Sequence, residues 1–93
     1  MLGNWTDQGI RNVQSAPERI KTTHNMVEKL KGKMQLFYTL GNYDFVMTIE
    51  VPSDEDIIEI LSTLGSKGNV RTSTMKAWTE SEVAKILTAL NPP

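Results

Sequence analysis

The chain has 93 residues, with ten Lys+Arg interspersed among eleven Asp+Glu and a formal net charge of −1. No basic stripe exists to neutralise phosphates, which argues against nucleic acid as a partner. With no cysteine, disulfides, thiolate nucleophiles and zinc–thiolate sites are excluded. No apolar run approaches the roughly 20 residues that span a bilayer, and Met1-Leu2-Gly3 lacks the pattern of a signal peptide, so no membrane partner is expected. These bounds predict one cytoplasmic domain over residues 1–93, small enough that association with a second copy would help to stabilise it.

A short strand is readable at "MLGNW", residues 1–5. A Ser or Thr followed three residues later by an acid marks a helix start, because the hydroxyl and carboxylate can satisfy the exposed first-turn amides. Ser15/Glu18, Ser53/Asp56 and Thr79/Glu82 have this spacing. The first predicts a helix over about 16–31, with Ile20, Thr23, Val27 and Leu30 on one face and Gly32 placed to end it.

The period then changes to two. If Gly41-Asn42 forms a two-residue hairpin turn, the register follows: Leu40 faces Tyr43, Thr39 faces Asp44, Tyr38 faces Phe45, and so on down to Lys33 facing Glu50. One face of the hairpin is then wholly apolar or aromatic and calls for helices above it, with Tyr43 as an anchor opposite Leu40. The other mixes Phe37 and Val46 with Gln35, Thr39, Asp44 and Thr48, and sets Lys33 and Glu50 as a cross-strand ion pair.

The second helix is expected over about 54–64, with Ile57, Ile58, Ile60, Leu61 and Leu64 apolar, acids near its positive end and Gly65 stopping it. A last strand is readable in "NVRTSTMKAW", residues 69–78. A third helix over about 80–90 carries Val83, Ile86, Leu87 and Leu90 as a narrow stripe and is expected to pack on the body. Asn91-Pro92-Pro93 reads as a frayed tail. The order β-α-β-β-α-β plus one helix predicts an α+β, ferredoxin-like sandwich, with sheet order 4-1-3-2 and both main helices on one side.

Three segments, "NWTDQGIRNV", the Gly-x-Tyr-Asp of "GNYDFV" and "LGSKGNVRTSTMKAWT", resemble the GYD domain family in order and spacing over nearly the whole chain. The resemblance implies the ferredoxin-like fold of the dimeric α+β barrels and no settled activity. Members of that family carry more apolar residues before the Asn-Trp-Thr-Asp segment, so the first strand here is expected to be shortened, or the native start to lie upstream.

Two polar clusters are the candidate ligand-binding residues. Asn4, Trp5, Asp7, Asn69 and Arg71 are expected together where strand 1 ends and strand 4 begins, with Gln8 nearby. Arg71 there is a forked donor for a small carboxylate or phosphate. The blander reading is that Asp7 and Asn69 tie loops and Arg71 pairs with a carboxylate. Asp44 belongs to the second cluster, with Gly41, Asn42 and Tyr43. Taking strands 1 and 3 to run in one direction places this cluster at the opposite end, near Trp78. Tyr43 and Asp44, adjacent in a strand, point to opposite faces and should not act as a pair.

His24 is the one histidine. Without Cys or a second His it makes no recognisable metal site, and Glu28, four residues on, reads first as a surface partner. No metal or cofactor is expected, and no catalytic residue is assigned. The leading functional reading is a self-associating, small-molecule-binding or structural module that dimerises through the mixed sheet face. Its ligand would lie between sheets or near Asn4, Trp5 and Arg71. The rival, by analogy with dimeric α+β barrels, is a cofactor-independent isomerase or oxygenase-like enzyme. A third is a ligand-sensing module working beside a separate DNA-binding partner.

Overall fold

In a computed structural model, which describes residues 1–90, β1 (Leu2–Trp5) leads through α1 (Asp7–Arg11) and a 3-10 turn (Val13–Ser15) into α2 (Ala16–Lys29). Then follow β2 (Lys33–Tyr38), β3 (Phe45–Glu50), α3 (Asp54–Ser66), β4 (Val70–Ser73) and α4 (Glu80–Thr88). The expected tail, Asn91-Pro92-Pro93, lies outside the described residues. The four strands form one antiparallel sheet in the order β2-β3-β1-β4, which is the expected 4-1-3-2 arrangement read from its other edge. The fold is α+β, compatible with a ferredoxin-like fold carrying a C-terminal helix.

The hairpin has the expected register from Lys33↔Glu50 to Tyr38↔Phe45, but not the expected two-residue turn: after the Thr39 N–Asp44 O bond the strands part into a wider loop, and Leu40 and Tyr43 do not pair. Gly41 takes φ +114, a conformation that needs glycine. Lys33 and Glu50 are opposite one another but form no ion pair; among the described residues the one salt bridge is Lys76–Asp54 at 3.2 Å. In water an exposed pair contributes little, so register alone does not bring the charged ends together.

Ser53 and Thr79 cap their helices, Thr79 with the full reciprocal capping box. Ser15 does not, because the 3-10 turn before α2 diverts its hydroxyl to Asn12 O, at 2.8 Å. An additional cap, Thr6, opens α1 by accepting from Gly9 N at 3.1 Å. The two expected glycine stops are also displaced. Lys31 takes the left-handed conformation after α2, with φ 62, while Gly65 lies within α3 and Gly68, with φ 74, makes the turn.

The core lies between the helices and one sheet face, where Ala16, Val27, Phe45, Met47, Ile60 and the polar Thr23 are buried. β1 pairs with β4 at four positions but with β3 at only two, so the central strand is short, as expected. Met1 extends it: its α-amino group donates to Met47 O at 2.9 Å, and Met47 N returns a bond to Met1 O at 2.8 Å. Partial burial holds that amine's pKa below its ordinary value. The aromatic anchor predicted at the hairpin tip is absent, since Leu40 is fully exposed and Tyr43 is 38% exposed in the loop.

β4 stops at Ser73, and residues 74–90 leave the body, contrary to the expected strand to 78 and packed final helix. No residue of α4 is buried, and Met75, Trp78, Val83, Ile86, Leu87 and Leu90 are all exposed. The Cα radius of gyration is 15.9 Å, against about 12 Å for a compact domain of this length. The arm accounts for the difference. Its tie to the body is the exposed Lys76–Asp54 pair.

Candidate functional site

β1 and β2 are joined by a helical crossover, which returns the chain to its starting side, so the two strands run parallel with antiparallel β3 between them. The end of β1 and the tip of the β2–β3 hairpin therefore share one end of the sheet. The expectation that strands 1 and 3 run the same way is overturned, and with it the placement of the two polar clusters at opposite ends. Trp78 follows β4 away from this end, because β4 is antiparallel to β1.

A hydrogen bond joins the clusters. Beyond Gly3↔Phe45 the β1–β3 ladder ends, and the next amide of β1 facing β3, that of Trp5, donates to Asp44 Oδ2 at 2.9 Å. Asp44 N in turn donates to Gly3 O at 2.9 Å. The carboxylate thus replaces a strand carbonyl at the last rung, where a partly buried amide would otherwise lack a partner. This accounts for an acid at a position that strand propensity disfavours. Asp44→Ala should cost about 1–2 kcal/mol and accelerate hydrogen exchange at the Trp5 amide, while Asp44→Asn, which keeps a carbonyl acceptor, should lose less than half as much. Equal exchange at Trp5 in all three proteins would refute this role.

On the β4 side, the loop at residues 67–69 is tied to the start of α1. Thr6 N donates to Asn69 O at 3.0 Å and Thr6 Oγ1 to Gly68 O at 2.6 Å. Gln8 Nε2 donates to Lys67 O at 2.9 Å and to Asn69 Oδ1 at 3.1 Å. Gly9 permits the approach, since a Cβ there would stand 2.0 Å from Asn69 O. Asn69 is thus a loop tie, as the blander reading expected, whereas Asp7 stands exposed in the first turn of α1. Asn4 and Arg71 are cross-strand partners, and Arg71 is exposed with no carboxylate within salt-bridge distance among the described residues.

Strand alternation divides these residues between two faces. Asn4 and Arg71 share the open face, while Trp5 joins the helix-covered side, against Phe45 (centroids 5.7 Å apart) and stacked on Tyr38 (6.3 Å). The Arg19 guanidinium lies 5.9 Å from the Trp5 ring centroid, within cation–π range. Arg19 Nη1 donates to Asn12 O at 2.9 Å and to Ser15 Oγ, whereas Nη2 is buried without a partner. Trp5 and Arg19 border a cavity of about 70 Å³ between α2, α3 and the sheet, whose other walls include Met26, Leu36, Phe45 and Met47.

Arg19 was not among the residues that sequence reasoning selected. A signal existed: it is three residues after Ala16 and four before Thr23, both buried, so a charge stands on the helix's inward stripe. His24 is exposed on α2. Among the described residues, no group of three or more His, Cys, Asp or Glu is arranged to hold a metal ion.

The Asn-Trp-Thr-Asp and Gly-x-Tyr-Asp segments, joined through the Asp44–Trp5 bond, are those that carried the family resemblance. The family model of the GYD domain matches residues 1–87. The chain belongs to the GYD domain family. It is similar to a Thermus thermophilus protein named "Glutamine synthetase and cystathionine beta-lyase binding protein", with 32% identity over 79 residues, covering 83% of each chain. No solved structure matches it. Among the described residues, no helix of this GYD-domain protein is long and apolar enough to cross a membrane.

Proposed function

We propose that this GYD-domain protein is a self-associating module that pairs with a second copy through its open sheet face and recognises other proteins through its C-terminal arm. The observation that carries the reading is a sheet covered on one side only. Across the uncovered side, Phe37, Val46, Leu2 and Ser73 fall in one cross-strand row. Phe37 is 56% exposed there, beside the half-buried Leu2 and Val46. Apolar side chains aligned across an open sheet are better accommodated against a second sheet than in water. The polar rim of the same face, Asn4, Asp44 and Arg71, would then border the interface, where a small ligand could also be held.

The arm supplies the surface for other partners. α4 is capped by its own residues and presents Val83, Ile86 and Leu87 without a covering element, the form of an amphipathic helix that lies in a groove. The name of the Thermus thermophilus relative supports enzymes as the class of partner.

At micromolar concentration, light scattering coupled to gel filtration should return about twice the 10.4 kDa chain mass, and Phe37→Asp should return the single-chain mass. A wild-type monomer would remove the self-association. For recognition, purified glutamine synthetase and cystathionine beta-lyase from the same organism should be presented to the immobilised protein. At least one should bind, and the Ile86→Asp/Leu87→Asp variant should lose it. Binding of neither enzyme would overturn the partner assignment.

A further inference from the structure

The sheet has β2 at one edge and β4 at the other. Thr39 N donates to Asp44 O, so the odd-numbered residues of β2 bond to β3 and those of even number turn away. The amides and carbonyls of Met34, Leu36 and Tyr38 therefore point outward, along an edge that no strand, proline or bulge blocks among the described residues. In β4, Thr6 N donates to Asn69 O, so the odd-numbered residues face β1 and the even-numbered ones, continued by Thr74 and Lys76, face outward.

The chain beyond Ser73 is an extended stretch without a partner strand: residues 74–78 are all exposed, Met75 by 64% and Trp78 by 54%. Phe37 and Ser73 share one cross-strand row. From that row, Leu36 back to Lys33 and Thr74 on to Ala77 extend toward the same end of the sheet, because β2 is parallel to β1 and β4 antiparallel to it. The two segments lie three strand spacings apart, about 14 Å, and cannot meet within one copy.

We propose that residues 74–78 of each copy add as a strand to the free β2 edge of the other, which rests on the face pairing proposed above with its two-fold axis along the strands. Such an axis sets β2 over β4 of the second copy, antiparallel to it, with Phe37 and Ser73 at one level. Thr74 of the second copy then meets Leu36, Met75 meets Gln35, and Lys76 meets Met34. Outward-facing residues thereby meet outward-facing ones, as a ladder requires. Facing sheets stand about 10 Å apart, so the arm must bend toward β2, and its exposed Lys76–Asp54 tie offers little resistance. Met75 turns between the sheets with Phe37. Trp78 falls opposite Gly32, which lines a shallow cleft of about 160 Å³ with Lys31, Lys33, Glu50, Val51 and Pro52. α4 stays outside the pair, free to meet other proteins from a fixed base.

The chain has no cysteine, so introduced thiols report on the register. Gln35→Cys and Met75→Cys, combined in one chain and oxidised mildly, should give a disulfide-linked dimer whose link maps from position 35 of one copy to position 75 of the other. It should form about tenfold faster than in Gln35→Cys/Ala77→Cys, where the positions are diagonal rather than opposite. Lys76→Pro removes one bonding amide from each arm in an exposed segment, and should raise the dimer dissociation constant about tenfold. Lys76→Ala keeps that amide and should change the constant by less than about threefold. Equal linking rates for the two thiol pairs would overturn the arm exchange and leave the face pairing in place, as would a Lys76→Pro dimer as tight as that of Lys76→Ala. A wild-type monomer would overturn both.

Discussion

Gly3→Ala should lower the stability of this protein by about 3 kcal/mol, at the upper end of the cost of overpacking a core. The reason is the position of Phe45, whose buried ring lies directly over Gly3: a Cβ at residue 3 would stand 2.0 Å from its Cζ and 2.3 Å from its Cε2. β1 is the central strand, held by β3 on one side and β4 on the other, so it cannot shift to make room without loosening both ladders. The ring must therefore tilt, and it would tilt against Trp5, its neighbour at 5.7 Å. With a urea slope of about 1.5 kcal/mol per molar for a chain this small, the midpoint should fall by about 2 M. Phe45→Leu combined with Gly3→Ala should be less destabilised than the sum of the two changes, because the smaller side chain leaves space for the methyl group. Additive losses would mean that the ring does not oppose substitution at Gly3.

Ile60→Ala should cost a similar amount, about 3 kcal/mol, through lost burial and the cavity left behind. Ile60 is 0% exposed on the inward face of α3, whereas Ile58, two residues earlier, is 64% exposed. Ile58→Ala should accordingly stay within about 0.5 kcal/mol of wild type. Thermal or urea unfolding of the pair is a stringent check on the orientation of α3, since a rotation of that helix would exchange the two results. Equal destabilisation by both changes would contradict the packing described above.

That pair also shows how far the pattern of residues could be read. Ile57, Ile58, Ile60, Leu61 and Leu64 mark α3 as amphipathic, but so wide a stripe does not say which isoleucine reaches the centre. The hairpin was more legible. A glycine at the turn and a period of two leave one register, because a slip by a single residue would move every apolar side chain to the other face. Ser53 and Thr79 were legible for a similar reason, since N-caps act within four residues of chain. Ser15 has the same spacing and fails, because the segment before it forms a tight turn that takes its hydroxyl.

The relation between the two polar clusters was contained in the order of elements. A crossover through α2 makes β1 and β2 parallel, and this alone brings the hairpin tip to the end of β1. Pairing strands 1 and 3 in direction lost that consequence. What no order of elements contains is the bond between them, in which the Asp44 carboxylate closes a ladder that stops one rung short. It depends on where two strands diverge, just past the Gly3↔Phe45 pair.

The sequence by itself determined the class of fold, the hairpin register, two helix caps and the family, all of which rest on short-range periodicity or on motifs in fixed order. Only the tertiary structure decided that Asp44 serves the Trp5 amide, that Arg19 lies against Trp5 with an unpaired nitrogen, and that α4 stands away from the body. These are long-range matters: whether a side chain finds a partner, or a helix a surface, depends on the distances left after the sheet and its two main helices have packed. Periodicity shows that Val83, Ile86 and Leu87 need a covering surface, but not whether this chain supplies one.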